Sequence, residues 1–279
     1  MRSEEALSNN RFRRQDRYSH FQGFGNSLSY KISEQLRLKA SYEWSTRMPR
    51  AEEVFGDGML TLANLELQPE RSHNANLELS YQNKAQSKQD WKLSINGFMR
   101  AANQLIVLLG DDIFFRYQNV FDATSTGVEA SASWTSSNNR FRVNGNTTWQ
   151  DFRNTSDKGG FRSFKGDRIP NRPYFFSNAA MSYQLPELLK NRDVLSIFWN
   201  ARYIHGFFRS WESVGLIQFK RTIPAQLVNN AGLTYKLPLG TFQSSLTAEV
   251  QNLTNSQVFD FFGVQRPGRA FYIKLTTQF

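Results

Sequence analysis

The 279-residue chain contains no cysteine, which removes disulfide scaffolds, thiol catalysis and thiolate metal sites together. It also lacks any run of the roughly 18 apolar residues that a spanning helix needs, so a helical membrane protein is excluded. The opening residues, MRSEEALSNN, carry no apolar core of a secretory signal. Either the protein is not exported or its true N-terminus lies upstream. Histidine is scarce: His20, His73 and His205 are far apart and follow no ligand spacing. There is no Gly-x-Ser-x-Gly elbow and no glycine-rich phosphate cradle ahead of a helix. Gly56-Asp57-Gly58 is a loop turn instead. The carboxylates Glu52-Glu53, Asp111-Asp112 and Asp151 fall in loops or on a wall, and nothing pairs them for acid–base work. No enzyme, no metal site and no cofactor is expected.

What is abundant is charge and aromatic surface. The formal net charge is +10, the mean hydropathy is -0.55, and 14% of residues are aromatic, including 24 phenylalanines. That aromatic content argues against a disordered polyelectrolyte. The basic balance raises nucleic acid as a partner, but lysine and arginine are spread singly along the chain. The densest run, Arg11, Arg13, Arg14 and Arg17, is interleaved with polar residues and reads as a solvated loop. No nucleic-acid partner is expected.

The strongest signal is strict alternation. Phe271, Ile273, Leu275, Thr277 and Phe279 oppose Tyr272, Lys274, Thr276 and Gln278. Phe242, Ser244, Leu246, Ala248 and Val250 oppose Gln243, Ser245, Thr247, Glu249 and Gln251. The same pattern runs through 141–150 and 36–45. A period of two over about ten residues is a strand with one apolar and one polar face. Soluble strands average about five or six residues, whereas a tilted membrane strand needs about 9–11. The apolar faces end in rings, Trp44, Tyr81, Trp91, Trp134, Trp149, Tyr203 and Phe279, as an interfacial girdle requires. The polar faces, with Arg37, Lys39, Glu129, Arg142 and Lys274, suit a hydrated lumen. The expected fold is all-β, a transmembrane antiparallel up-and-down β-barrel.

Connections give direction. Short links are expected at Ser33-Glu34, Asn83 to Gln89, Ser136 to Asn139, Leu185 to Arg192 and Leu237 to Gly240. Long ones are expected at Thr46 to Ser72, Thr155 to Arg172, Gly206 to Ala225 and Thr254 to Gly268. Outer-membrane barrels have short periplasmic turns and long extracellular loops. Gly110-Asp111-Asp112 is the exception, a tight turn on the outer side. The pattern counts about eleven strands, with residues 1–19 as the tail of an outer loop rather than a strand. Both the first and the last strand then descend, so closure within the chain would need a parallel seam, and open edges in lipid are prohibitively costly. An incomplete barrel is expected.

Five segments resemble the C-terminal half of the barrel of a TonB-dependent outer-membrane receptor. They are LKASYEWSTRMPRAEEVFGDGMLTLA from Leu38, NLELQPERSHNANLE from Asn64, YQNVFDATSTGVE from Tyr117, RIPNRP from Arg168, and EVQNLTN with RPGRAFYIKLTTQF between Glu249 and Phe279. They stand in the family's order over most of the chain. The family's barrels have about 22 strands with a plugged lumen, so residues 1–279 would be the C-terminal part of one, with signal peptide, TonB-box segment and plug domain outside the chain. The resemblance implies a receptor that imports a scarce solute, such as a ferric siderophore, haem, cobalamin or an oligosaccharide, with TonB-transduced energy. It implies outer-membrane lipid and lipopolysaccharide, the TonB complex acting through the plug, and the barrel-assembly machinery as partners. The location would be the outer membrane of a Gram-negative cell, crossed many times. A passive porin is the alternative.

The resemblance places ligand capture at outer loops. Candidates there are Arg47, Arg50, Phe207, Phe208, Arg209, Trp211 and Arg266, with Lys220, Arg221, Phe261 and Phe262 nearby. Rings and cations together suit an anionic or ring-rich solute. Loop cations could instead contact lipopolysaccharide phosphates while the rings pack the loops together. Phe279, a terminal ring on an alternating strand, is the expected assembly signal.

Overall fold

The computed structural model describes residues 2–7, 11–16, 22–83, 89–110, 114–216, 220–239, 242–260 and 263–278. Two strands, β1 (Arg2–Leu7) and β2 (Arg11–Asp16), precede β3 (Phe24–Lys31) and β4 (Leu36–Arg47). A one-turn helix α1 (Ala51–Phe55) and the short β5 (Thr61–Leu62) lead to β6 (Glu70–Gln82). Then come β7 (Asp90–Gly110), β8 (Phe115–Thr135), β9 (Phe141–Asn154), β10 (Phe175–Pro186) and β11 (Val194–Ile204). The two-residue strands β12 (Phe207–Phe208) and β13 (Thr222–Ile223) precede β14 (Gln226–Leu239), β15 (Phe242–Gln251) and β16 (Ala270–Gln278). No helix among the described residues is long and apolar enough to cross a membrane.

One sheet runs β16-β15-β14-β11-β10-β9-β8-β7-β6-β4-β3, each strand antiparallel to its neighbours. Those eleven strands are the number that alternation predicts. The links at 32–35, 83–89, 136–140 and 187–193 are short, and those at 48–69, 155–174, 205–225 and 252–269 are long, so the two kinds gather at opposite ends of the sheet. Asp111 and Asp112 lie outside the described residues; the pairs Gly110↔Phe115 and Leu109↔Arg116 bracket that link. Among the described residues the outer edges of β3 and β16 are unpaired. Because nine strands lie between them in this antiparallel sheet, both edge strands run the same way.

Residues 2–16 correct the sequence reading. They form a β1–β2 hairpin, with the register placing Glu4 opposite Arg14 and Glu5 opposite Arg13. Alternation could not reveal this hairpin, because the few apolar residues of RSEEAL and RFRRQD, namely Ala6, Leu7 and Phe12, do not recur at a period of two.

Register fixes the faces. The apolar set of each strand aligns with its neighbours: Leu38↔Leu79↔Ile95↔Ala130, and Leu233↔Ala248↔Ile273. Leu77, Ile95, Met99, Leu246, Phe271, Ile273 and Leu275 are all exposed, which suits lipid rather than a protein core. Near the short turns on this face, Trp91, Trp134, Phe141 and Tyr183 touch in sequence, with ring centroids 5.8, 5.5 and 6.3 Å apart. Near the long loops, Trp44 stacks on His73, and Phe175 meets Tyr203 edge-on. From Phe141 to Trp149 the strand climbs about 26 Å at about 3.3 Å per residue, of the order of a roughly 25 Å apolar band. The opposite face carries Arg37, Lys39, Glu129, Arg142 and Lys274, as expected; Lys39 pairs with Glu78 at 2.8 Å. A polar cavity of about 550 Å³ lies against this face, lined from six strands by residues such as Lys31, Arg37, Ser80, Lys92, Ser131 and Asn144. Two glycines on the same face lie under rings: a Cβ on Gly127 would overlap the Phe98 ring and the Trp149 carbonyl, and one on Gly232 would overlap Phe198.

The buried hydrophobic core lies at the long-loop end of the sheet. Ala102, Leu105, Val107, Leu109, Val120, Ala123, Ile169 and Trp211 form one cluster, with Phe152, Phe161 and Phe164 packed on it. Val54, Leu67 and Ile106 form a second one. Both form because β7 and β8, at 21 residues each, outrun their neighbours. At Gln104, whose φ is 56°, the alternation changes phase: Ala102 and Leu105, not Ala102 and Gln104, enter the same cluster. The projecting hairpin then offers one face to the loop 155–174 and the other to the loop 48–69.

Candidate functional site

Four loops converge at this end. The 48–69 loop turns on Gly56 and Gly58, at φ 70° and 71°, a conformation glycine adopts freely. Asp57 between them accepts backbone N–H bonds from Thr61, Met59 and Leu60 at 2.8, 2.9 and 2.9 Å, which hold its carboxyl below the usual carboxylate range.

At the mouth of the polar face, Glu70 is the organising charge. Its side chain is 2% exposed and accepts from Arg47 at 3.2 Å, from Arg100, and from the Ile106 N–H at 3.1 Å. Arg47 also binds Glu53 of α1 at 2.8 Å, and Glu53 in turn accepts the Arg50 backbone N–H at 2.8 Å. A buried carboxylate needs such partners to stay ionised. Arg47 is therefore spoken for by two carboxylates, whereas the Arg50 guanidinium is exposed, 3.6 Å from Glu52.

The other predicted residues divide in the same way. Phe207 and Phe208 pair with Ile223 and Thr222, half-buried, and the Lys220 ammonium lies 5.0 Å over the Phe208 ring. The Arg209 guanidinium sits 6.0 Å from the Phe115 centroid and against Gly263, which joins the 205–225 loop to the 252–269 loop. Trp211 is 8% exposed, stacked on Phe164 at 4.9 Å and 7°, and is core rather than lining. Arg266 is exposed on the 252–269 loop, its N–H donating to the Val258 carbonyl at 2.7 Å. Phe261, Phe262 and Phe279 lie outside the described residues. His73 and His205 each hydrogen-bond a tyrosine, Tyr42 at 2.7 Å and Tyr203 at 2.8 Å.

Between the chain entering β10 and the β12–β13 hairpin lies a cavity of about 270 Å³. Phe207, Phe208, Tyr174, Ile169, Pro170 and Pro224 supply its apolar lining, and Arg168, Arg172 and Glu212 its charges. Arg168 is neutralised: it lies 2.9 Å from Asp151 and 3.7 Å from Glu212, and stacks 4.4 Å over Tyr174. Arg172 makes no ion pair among the described residues. It retains open surface, yet surrounding protein and then Arg100 lower its pKa from the usual arginine value, against Glu70 and Tyr117. It remains a cation throughout the physiological range. The sequence reading missed Arg168, Arg172, Tyr174 and Glu212 as site residues. The RIPNRP segment was its only pointer, and there it marks a strand entry.

The model of the TonB dependent receptor-like β-barrel matches residues 5–253. The chain belongs to the TonB-dependent receptor family. Members of this family are outer-membrane receptors and transporters, not enzymes. No curated protein sequence matches it. Among solved structures, it is similar to a variant of the ferric enterobactin receptor from Pseudomonas aeruginosa, at 17% identity and a TM-score of 0.65, over 91% of this chain and 40% of that one. A copper transporter gives 17% and 0.63, over 89% and 38%. The ferric preacinetobactin receptor from Acinetobacter baumannii gives 15% and 0.60, over 91% and 35%. The chain thus spans about two fifths of the length of these structures, and the likeness is one of fold.

Proposed function

We propose that this chain is part of the wall and outer mouth of an outer-membrane receptor that captures a scarce solute at its long loops and imports it with TonB-transduced energy. The observation that carries this reading is the division of the sheet into an apolar aromatic-girdled face and a polar face whose loop end is capped by packed, charged loops. A passive pore does not require such a cap. Solved relatives named for ferric enterobactin, ferric preacinetobactin and copper favour a metal-bearing solute.

The rest of the barrel must come from elsewhere, since unpaired edges in lipid are costly. With β3 and β16 running the same way, the complementing part needs an odd number of antiparallel strands; eleven would complete 22. That part would carry the plug through which TonB acts. Lipopolysaccharide would surround the loops, and Phe279 would direct assembly by the barrel machinery.

The test is growth and solute uptake by cells whose intact receptor gene is deleted, with iron and copper limited in turn, and with TonB present or absent. TonB-dependent loss of uptake is the expected result. A steady conductance from the intact protein in a planar bilayer, with uptake indifferent to TonB, would make it a passive channel instead.

A further inference from the structure

We propose that the cavity between Arg168–Tyr174 and the β12–β13 hairpin is a subsite for one ring-sized aromatic group bearing a single negative charge, recognised without any metal ion. The inference rests on the capture role assigned above to the outer loops and names what part of a solute one loop pair would hold.

Size sets the first limit. About 270 Å³ accommodates one substituted ring, below the usual volume of a pocket for a whole drug-sized ligand. The lining sets the second. Phe207, Phe208 and Tyr174 present ring surface to it, and aromatic pairs gain from offset or edge-on contact. Phe208 is held in place by its ladder to Thr222 and by the Lys220 ammonium, and Tyr174 by Arg168 and His205. Their positions are therefore fixed before any guest arrives, which lowers the ordering cost of binding.

Charge sets the third. Arg168 and Glu212 offset one another, and the Glu212 carboxylate also accepts the Arg168 backbone N–H at 3.0 Å. Among the described residues Arg172 has no such partner. Towards the mouth, the guanidiniums of Arg47, Arg100 and Arg172 gather around Glu70, and among the described residues the ion pairs there go from Arg47 to Glu53 and Glu70 and from Arg100 to Glu70. A single guest anion would relieve this excess and offer Arg172 the planar, bidentate partner that guanidinium geometry suits. A second anionic group would meet Glu212 instead.

The test is fluorine NMR of 4-fluorobenzoate titrated with the full-length protein in detergent, beside neutral 4-fluorobenzamide and with inorganic sulfate as competitor. Saturable broadening of 4-fluorobenzoate is expected, about tenfold weaker for the benzamide and for Arg172→Gln, and unaffected by equimolar sulfate. Arg140→Gln, an exposed cation in the short 136–140 link at the opposite end of the sheet, should bind as the parent does. A heat-modifiable band on a semi-native gel establishes that each variant is folded. Benzamide binding equal to benzoate, unchanged binding by folded Arg172→Gln, or no saturable broadening at all would overturn the assignment. Because purified protein is used without TonB, this result is independent of transport. TonB-dependent import without benzoate binding removes the subsite alone, and benzoate binding without TonB-dependent import removes the transport role alone.

Discussion

Truncating Trp211 to alanine should release the 205–225 loop without dissolving the barrel wall. The indole is 8% exposed, stacked face to face on Phe164 and 5.7 Å from Phe161, and belongs to the cluster built on Leu105, Val107 and Val120. A buried aromatic side chain removes about 150–250 Å² from water. At about 25 cal/mol per Å² that is about 4–6 kcal/mol, an upper bound because the detached loop stays partly compact. Core tryptophan-to-alanine changes cost about 3–5 kcal/mol, and a surface loop can settle into part of the void, so about 3 kcal/mol is expected. That corresponds to about a hundredfold rise in the population of the opened loop. Limited trypsin cleavage at Arg209 and Arg221 reports that population, because cleavage follows the open fraction when closing is fast. Trp211→Phe, which keeps the stack on Phe164, should restore most of the protection. An alanine variant cut less than about threefold faster than the parent would refute the placement of Trp211 as the loop's anchor.

Four further outcomes follow from the same structure. Glu70→Gln leaves Arg47 with Glu53 alone and Arg100 without its carboxylate; both guanidiniums are partly exposed, so the loss should be about 1–2 kcal/mol, seen as faster amide exchange over 51–62 and refuted by unchanged exchange. At the opposite end, Asp193 is fully buried in its turn, which pushes its carboxyl up, but the Tyr235 hydroxyl at 2.5 Å and the N–H groups of Leu189, Lys190 and Leu188 outweigh this and hold it at about 2. A depressed carboxylate stabilises above its unfolded pKa of about 3.9, so protection of those amides should be lost as pH falls from about 4 towards 2; protection that persists below that window would contradict the turn. Gly127→Val must displace the Phe98 ring or the Trp149 strand and should lower heat-modifiable barrel by about 1–3 kcal/mol of stability, whereas Gly160, with open space around it, should accept valine. Deleting Phe279 should lower outer-membrane assembly, read as folded receptor per cell, more than truncating Leu246 to alanine; equal yields would leave Phe279 a girdle residue only.

The 36–45, 141–150 and 242–251 segments show why so much of the wall was legible. In a sheet bathed by lipid on one side and water on the other, each strand's facing is settled residue by residue, and the period of two is written locally. The strand number, the shared direction of the edge strands and the alternation of short and long links follow from counting that period. The loop end obeys no such rule. Trp211, Phe164 and Leu105 meet from segments far apart in sequence, and each alone is equally suited to a ligand surface or a core. Arg47 illustrates the same point: a loop cation by sequence, it becomes half of a buried pair only because β6 brings Glu70 beside it. The phase change at Gln104 needs a left-handed residue with no glycine to announce it, so the projecting β7–β8 hairpin was invisible to periodicity. Sequence alone therefore determined the membrane wall, because solvent on each face selects the residue type directly. Only the tertiary structure decided which loop arginines are neutralised and which, such as Arg172, make no ion pair among the described residues, because charge pairing depends on neighbours that the chain brings together from a distance.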